Sequence, residues 1–198
     1  GDVYKRQATV RRDGTSRFNK DNRWGTFPSV ALAWRVSEEA FLKDNTVLSN
    51  LKLRASYGVT GQQDGIGNYN YLPVYTYSQT GAEVQFGNQF INTYRPEAYV
   101  SDLKWETTTS WNAGFDFGFL KDRISGSFDF YTRKTEDLLA TVAAPAGSTF
   151  DKTILTNVGN VDSKGIEVTL NATPIQTKDW NWDVSFLSLI HISEPTRP

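Results

Sequence analysis

The stretch 111–131 constrains the fold more than any other part of the chain. Trp111, Ala113, Phe115, Phe117 and Phe119 take every second position, with Asn112, Gly114, Asp116 and Gly118 between them. Period two is the strand period. After Leu120, Lys121 and Asp122 the alternation resumes, with Ile124, Gly126, Phe128 and Phe130 on one face and Arg123, Ser125, Ser127 and Asp129 on the other. A connection that short joins two antiparallel strands as a hairpin. Each run is about ten residues long, which matches the length a tilted strand needs to cross a bilayer.

Bulk composition does not oppose a membrane strand. The hydrophobic fraction is 38% and the mean hydropathy −0.48, and no apolar run approaches the length of a membrane helix. In a barrel, however, half of each strand faces a polar lumen and the loops are hydrophilic, so average hydropathy stays low. An aromatic content of 14% fits the aromatic girdles of such barrels. The absence of cysteine excludes disulfides and thiolate metal sites. A net charge of −1 gives no argument for nucleic acid or for a polybasic membrane patch.

Further strand candidates lie at 9–12, at 29–36 (Val30, Leu32, Trp34 and Val36 on one face), at 51–59 (Leu51, Leu53, Ala55, Tyr57 and Val59), at 166–170 (Ile166, Val168 and Leu170) and at 180–186. The connections between them alternate, with short ones at 37–50, 120–122 and 174–179 and long ones at 13–25, 61–103 and 132–163. In an antiparallel meander all connections of one parity lie at one end. Outer-membrane barrels have this asymmetry, with short periplasmic turns and long external loops. Ser37 is expected to N-cap a helical turn through Glu38, Glu39 and Phe41 in the first short connection. Trp105 and Trp111 fall near the external start of a descending strand, and Trp180 and Trp182 near the periplasmic start of an ascending one, the two levels that amphipathic rings prefer. The expected lipid-facing set is Trp111, Phe115, Phe117, Phe119, Phe128, Phe130, Ile166, Val168, Leu170, Trp180 and Trp182. Charge is expected only on the opposite face, because at mid-membrane it costs about 2–4 kcal/mol.

The two ends break this order. The alternation of Trp180, Trp182, Val184 and Phe186 slips out of phase at Leu187, Leu189, Ile190 and Ile192. Methionine is absent and no signal-peptide apolar stretch opens the chain, which reads as a fragment of a longer protein. The opening and closing sequences resemble translated library ends found on metagenomic reading frames. Residues 1–7 and 188–198 are therefore expected to be non-native, around a native stretch 8–187, and His191 to carry no role.

Few residues suggest site chemistry. Tyr69, Tyr71, Tyr75 and Tyr77 lie in the first of the two longest loops and present flat rings able to stack on a sugar, or else pack locally. Glu38 and Glu39 are adjacent and do not converge on one substrate, so helix-end charge explains them better than catalysis. Asp13 with Gly14 and Asp64 with Gly65 lack the further acids of a calcium loop and read as turns. Asn171 to Thr173 matches a glycosylation sequon but sits on a strand, and reads as chance. Arg11, Arg12, Arg17 and Arg23 read as solvated loop charge paired with Asp13 and Asp21. No nucleophile triad, phosphate-binding glycine loop or metal-ligand cluster is present, so no enzyme activity and no cofactor are expected.

The segments RRDGTSRF (11–18), RWGTFPSVALAWRVSEEAF (23–41), LKLRASYGVTGQQ (51–63), LKWETTTSWNAGFDFGFLKDRISGSFDFYTRKTEDLL (103–139) and NVGNVDSKGIEVTLNATPI (157–175) resemble the SusC/RagA family of TonB-dependent outer-membrane transporters. The resemblance implies an all-β fold, here an antiparallel meander forming part of a large transmembrane β-barrel of about 22 strands with a plugged lumen. It also implies a cell outer-membrane location with lipid as solvent, a SusD-like surface lipoprotein as lid, energy from the TonB complex through parts outside this chain, and a glycan or peptide substrate. With only six or seven strands this chain leaves an open sheet and cannot transport alone. Two other readings remain: a non-transporting outer-membrane barrel, such as an adhesin or porin-like protein, and a soluble β-sandwich carbohydrate-binding module. An upstream plug separates transporter from plain barrel. A sandwich would bury its Phe face against a second sheet and need no detergent.

Overall fold

The structure is a computed structural model that describes residues 3–79 and 81–196. Gly1, Asp2, Arg197 and Pro198, part of the expected non-native ends, lie outside the described residues. Among the described residues thirteen strands occur, in chain order β1 (Tyr4–Gly14), β2 (Trp24–Arg35), β3 (Leu48–Gln62), β4 (Tyr75–Tyr77), β5 (Glu83–Phe86), β6 (Gln89–Asn92), β7 (Tyr94–Pro96), β8 (Glu106–Phe119), β9 (Ile124–Glu136), β10 (Leu139–Ala143), β11 (Thr153–Asn157), β12 (Asn160–Gln176) and β13 (Asn181–Thr196). Seven of them form one antiparallel sheet in the order β1-β2-β3-β8-β9-β12-β13. The remaining six form three two-stranded sheets, β4-β7, β5-β6 and β10-β11, all within the two longest connections.

Register follows the alternation. Phe115 pairs with Leu53 on one side and Phe128 on the other, and Phe128 pairs with Val168. Leu32, Ala55, Ala113, Phe130 and Ile166 make the next row of the same face. No second sheet covers this face among the described residues. Phe115 and Phe130 are 37% and 44% exposed, and Phe117 and Phe128 are half-buried. That does not favour a soluble sandwich, whose apolar face would be closed. Apart from Val36 in the turn after β2, the buried hydrophobic side chains among the described residues lie in one small cluster of Phe18, Phe27, Ile66, Leu103 and Trp105, with Val59, Val100, Leu139 and Leu155 packed against it.

That cluster also corrects the loop rhythm. The connection 15–23 is shorter than the connection 36–47 on the other side, so length alone does not separate the two ends. Contact does. Phe18 from 15–23, Ile66 and Leu103 from 63–105, and Leu139 and Leu155 from the β10-β11 hairpin meet in a single core. Asn22 Nδ2 donates to Asp102 Oδ1 (2.9 Å) and to the Leu103 carbonyl (3.1 Å), and Asn157 Nδ2 donates to the Lys104 carbonyl (3.0 Å).

Four other details depart from the sequence reading. The turn after β2 is a single 3-10 turn, Val36–Glu38, with Arg35 at its N-cap and no side-chain cap, so Ser37 does not cap it. Trp105 belongs to the buried cluster, its ring 5.3 Å from Phe18 and 5.5 Å from Phe27, and not to a girdle. Trp180 lies outside β13, where its carbonyl accepts the Thr177 amide (2.7 Å), so the strand pleat does not set its face. Charge is not confined to one face either: Lys134 and Lys164 follow the apolar positions where β9 and β12 run past Trp111, and Arg6 sits on the apolar face of β1 opposite Leu32. Residues 4–7 and 188–196 continue β1 and β13 as edge-strand pairing, with Leu187 and Leu189 on the polar face opposite Thr169 and Glu167.

Candidate functional site

The sheet offers three surfaces. The first is the apolar face. Trp111 lies at the level where β8 leaves it, tilted on Tyr57 at 4.5 Å, and Phe115 stacks on Phe128 at 5.7 Å. Register places Phe117, Phe119, Phe130, Ile166, Val168 and Leu170 on the same side, and Trp182 two residues before Val184 continues it on β13. At the opposite end Tyr4 stacks on Trp34 (5.9 Å). Glu39 there accepts the Tyr4 hydroxyl and the Trp34 indole N–H (2.9 Å for the latter). These two donors, the hydroxyl first, hold the Glu39 carboxyl below its ordinary value. Their contribution to the turn is present above the ordinary carboxylate pKa and is lost as acid protonates Glu39.

The second surface is polar. Arg54 on β3 bridges Asp116 on β8 (2.8 Å) and Asp129 on β9 (2.9 Å), while Lys52 lies 3.6 Å from Asp116. Arg54, Gly114, Asp129 and Glu167 form one row across four strands. Gly114 makes the bridge possible, because a Cβ there would come within 2.3 Å of Asp129 Oδ1 and 2.6 Å of the Phe128 carbonyl. Arg54 Nε and Asp129 Oδ1 have no partner among the described residues. Further along this face the Tyr131 hydroxyl lies 2.7 Å from His191 Nδ1.

The third surface is the loop end above the buried cluster. Tyr75 and Tyr77 occupy alternate positions of β4 and are 63% and 64% exposed. Tyr94 on β7 stands opposite Tyr77, and the two rings stack at 4.7 Å. The Tyr77 hydroxyl beside it pushes the Tyr94 phenol above its ordinary value. Tyr94 was not visible from the sequence, since only the β4-β7 pairing brings it to Tyr77. Tyr69 is exposed in a left-handed conformation (φ 66°) and Tyr71 is half-buried. No ring contact among the described residues joins either of them to the Tyr77–Tyr94 pair.

An open sheet with one uncovered apolar face, one charged face and, among the described residues, its buried cluster at the loop end is what a segment of a barrel wall looks like. Residues 2–192 match the family model for the TonB dependent receptor-like β-barrel. The chain belongs to the TonB-dependent receptor β-barrel family. It is 52% identical over 178 residues to the TonB-dependent receptor SusC of Bacteroides thetaiotaomicron, covering 90% of this chain and 18% of that protein. It is 38% identical to the TonB-dependent receptor P39 of Formosa agariphila, covering 92% of this chain and 17% of the relative. Among solved structures, the RagAB peptide importer in its closed-closed state superposes with a TM-score of 0.84 at 31% identity, over 99% of this chain and 21% of the other. The chain thus spans about a fifth of the length of these TonB-dependent receptors. The SusC/RagA resemblance and the all-β meander agree with these findings.

Proposed function

We propose that the complete protein is an outer-membrane importer of glycans or peptides. In this reading a SusD-like surface lipoprotein covers the external loops and the TonB complex supplies the energy. The observation that carries it is the uncovered apolar face with aromatic rings at both ends, in a chain of this family. Lipid takes the place of a second sheet over Phe115, Phe117, Phe119, Phe128, Phe130, Ile166, Val168 and Leu170, with Trp111, Trp180 and Trp182 toward the interfaces. The Arg54 network then lines the lumen, where its free valences face an interior domain. Tyr75 and Tyr77, with Tyr94 beside them, make the first ligand contacts at the outer surface, and Tyr69 and Tyr71 flank them. Similarity to a peptide importer and to SusC supports import of either substrate class over a non-transporting barrel.

Expressed whole with its neighbouring lipoprotein, the protein should let cells accumulate a labelled oligosaccharide or peptide. Removing TonB should abolish accumulation while surface binding persists, and removing the lipoprotein should weaken capture. Accumulation that is unchanged without TonB would show a passive barrel instead.

A further inference from the structure

The two longest external segments meet in a cleft of about 450 Å³ lined by Pro96, Glu97, Tyr99, Ser148, Thr149 and Phe150. Its volume falls within the range of small-ligand sites, about 300–1,000 Å³. The walls are fixed from both sides. Asp151 accepts the Ala98 amide at 2.5 Å and lies 3.7 Å from Arg95, while its own amide donates to Thr149 Oγ1 at 2.8 Å. The Ala144 amide donates to the Lys152 carbonyl (3.0 Å) and the Glu97 amide to the Val74 carbonyl (2.8 Å). Gly147, also in the lining, takes a left-handed turn, with φ 80°, just before Ser148 to Phe150.

We infer that this cleft is a saccharide subsite, holding one neutral sugar ring between Tyr99 and Phe150 with its hydroxyls on Glu97 and Ser148. The inference rests on the importer reading above. Tyr99 and Phe150 are 46% and 69% exposed, both line the cleft, and neither stacks on another ring among the described residues, so each offers exposed ring surface to an apolar C–H face. The Glu97 carboxylate makes no hydrogen bond or ion pair among the described residues, and the Ser148 hydroxyl donates to the Pro145 carbonyl (2.7 Å), leaving its lone pairs open. The lining therefore offers acceptors and flat rings, and neither lysine nor arginine. Such a set suits a hydroxyl-rich neutral ring and repels an anion. Pro96 pairs with Tyr75, so the cleft lies beside the exposed tyrosines and could take one unit of a chain that runs across them.

The test is hydrogen exchange on the full-length protein with its lipoprotein, in detergent. The probes are neutral hexasaccharides (an α-glucan, a β-glucan and a β-xylan) and, in parallel, tryptic peptides of casein. A hexasaccharide should protect 94–99 and 145–151 together. Tyr99→Ala with Phe150→Ala should weaken that binding about tenfold or more, the summed effect of two ring contacts. Glu97→Gln, which keeps both rings, should give a smaller loss. Protection by peptides alone overturns the assignment. So does an absence of protection by every hexasaccharide while cells carrying the same protein still import by the TonB-dependent route, a result that leaves the importer reading standing.

Discussion

Phe128→Arg in the full-length protein should cost about 2–4 kcal/mol of barrel stability, the cost of a cation on the lipid face. Phe128 stacks on Phe115 and pairs with Val168, so the new guanidinium has only apolar neighbours within its row. Ser127→Arg, one residue earlier, points to the side of Asp116 and Thr169. It should change stability by less than about 1 kcal/mol, as ordinary surface substitutions do. Urea titration of barrels refolded into vesicles measures both. The contrast between neighbours carries the argument, and a larger loss at Ser127 would mean that the faces are assigned the wrong way round.

Arg54→Met should be the most damaging change on the polar face. It strips two carboxylates of their shared partner, Asp116 and Asp129, which are 27% and 17% exposed, against 32% for Arg54 itself. Breaking a fully buried pair costs about 3–5 kcal/mol. Partial solvent screening brings the expectation here to about 2 kcal/mol. The triple variant Arg54→Met, Asp116→Asn, Asp129→Asn should recover most of that loss, since no unpaired charge is left behind. The same urea titration checks it. If the single variant is neutral, the bridge contributes nothing beyond its solvated parts.

The strands that cross the sheet were legible wherever one face is apolar and the other polar. Phe115, Phe117, Phe128 and Phe130 announce β8 and β9 because period two with such contrast has no helical reading. The extensions were not. β8 begins at Glu106 and β9 runs to Glu136, through Thr107 to Thr109 and Thr132 to Thr135, where both faces are polar and the contrast vanishes while the strand continues. β12 likewise starts at Asn160 and not at Ile166. Chain parity correctly grouped the three connections that share the loop core, although the first of them is not long. The core itself was hidden, because Phe18, Ile66 and Leu103 are isolated apolar residues in polar loops and only the fold gathers them. Trp105 was misread for the same reason: a tryptophan next to a strand suits a girdle and a loop core equally well. Of the exposed tyrosines, sequence proximity found Tyr75 and Tyr77 on one face, but the pairing of β4 with β7, across an intervening hairpin, added Tyr94. The cleft between 96–99 and 148–150 unites positions with no shared signal in the sequence.

The central claim is that this sheet spans the outer membrane with 63–105 and 137–159 outside. The absence of cysteine from the chain makes a direct test possible. Gln79→Cys and Lys121→Cys would be introduced singly into a cysteine-free form of the full-length protein, and intact cells exposed to a membrane-impermeant maleimide. Residue 79 lies in the segment 63–105 and Lys121 in the turn at the other end of the sheet. The account predicts labelling at 79 in intact cells and at 121 only after the outer membrane is permeabilised. Labelling at 121 but not at 79 in intact cells, or at both, would contradict it.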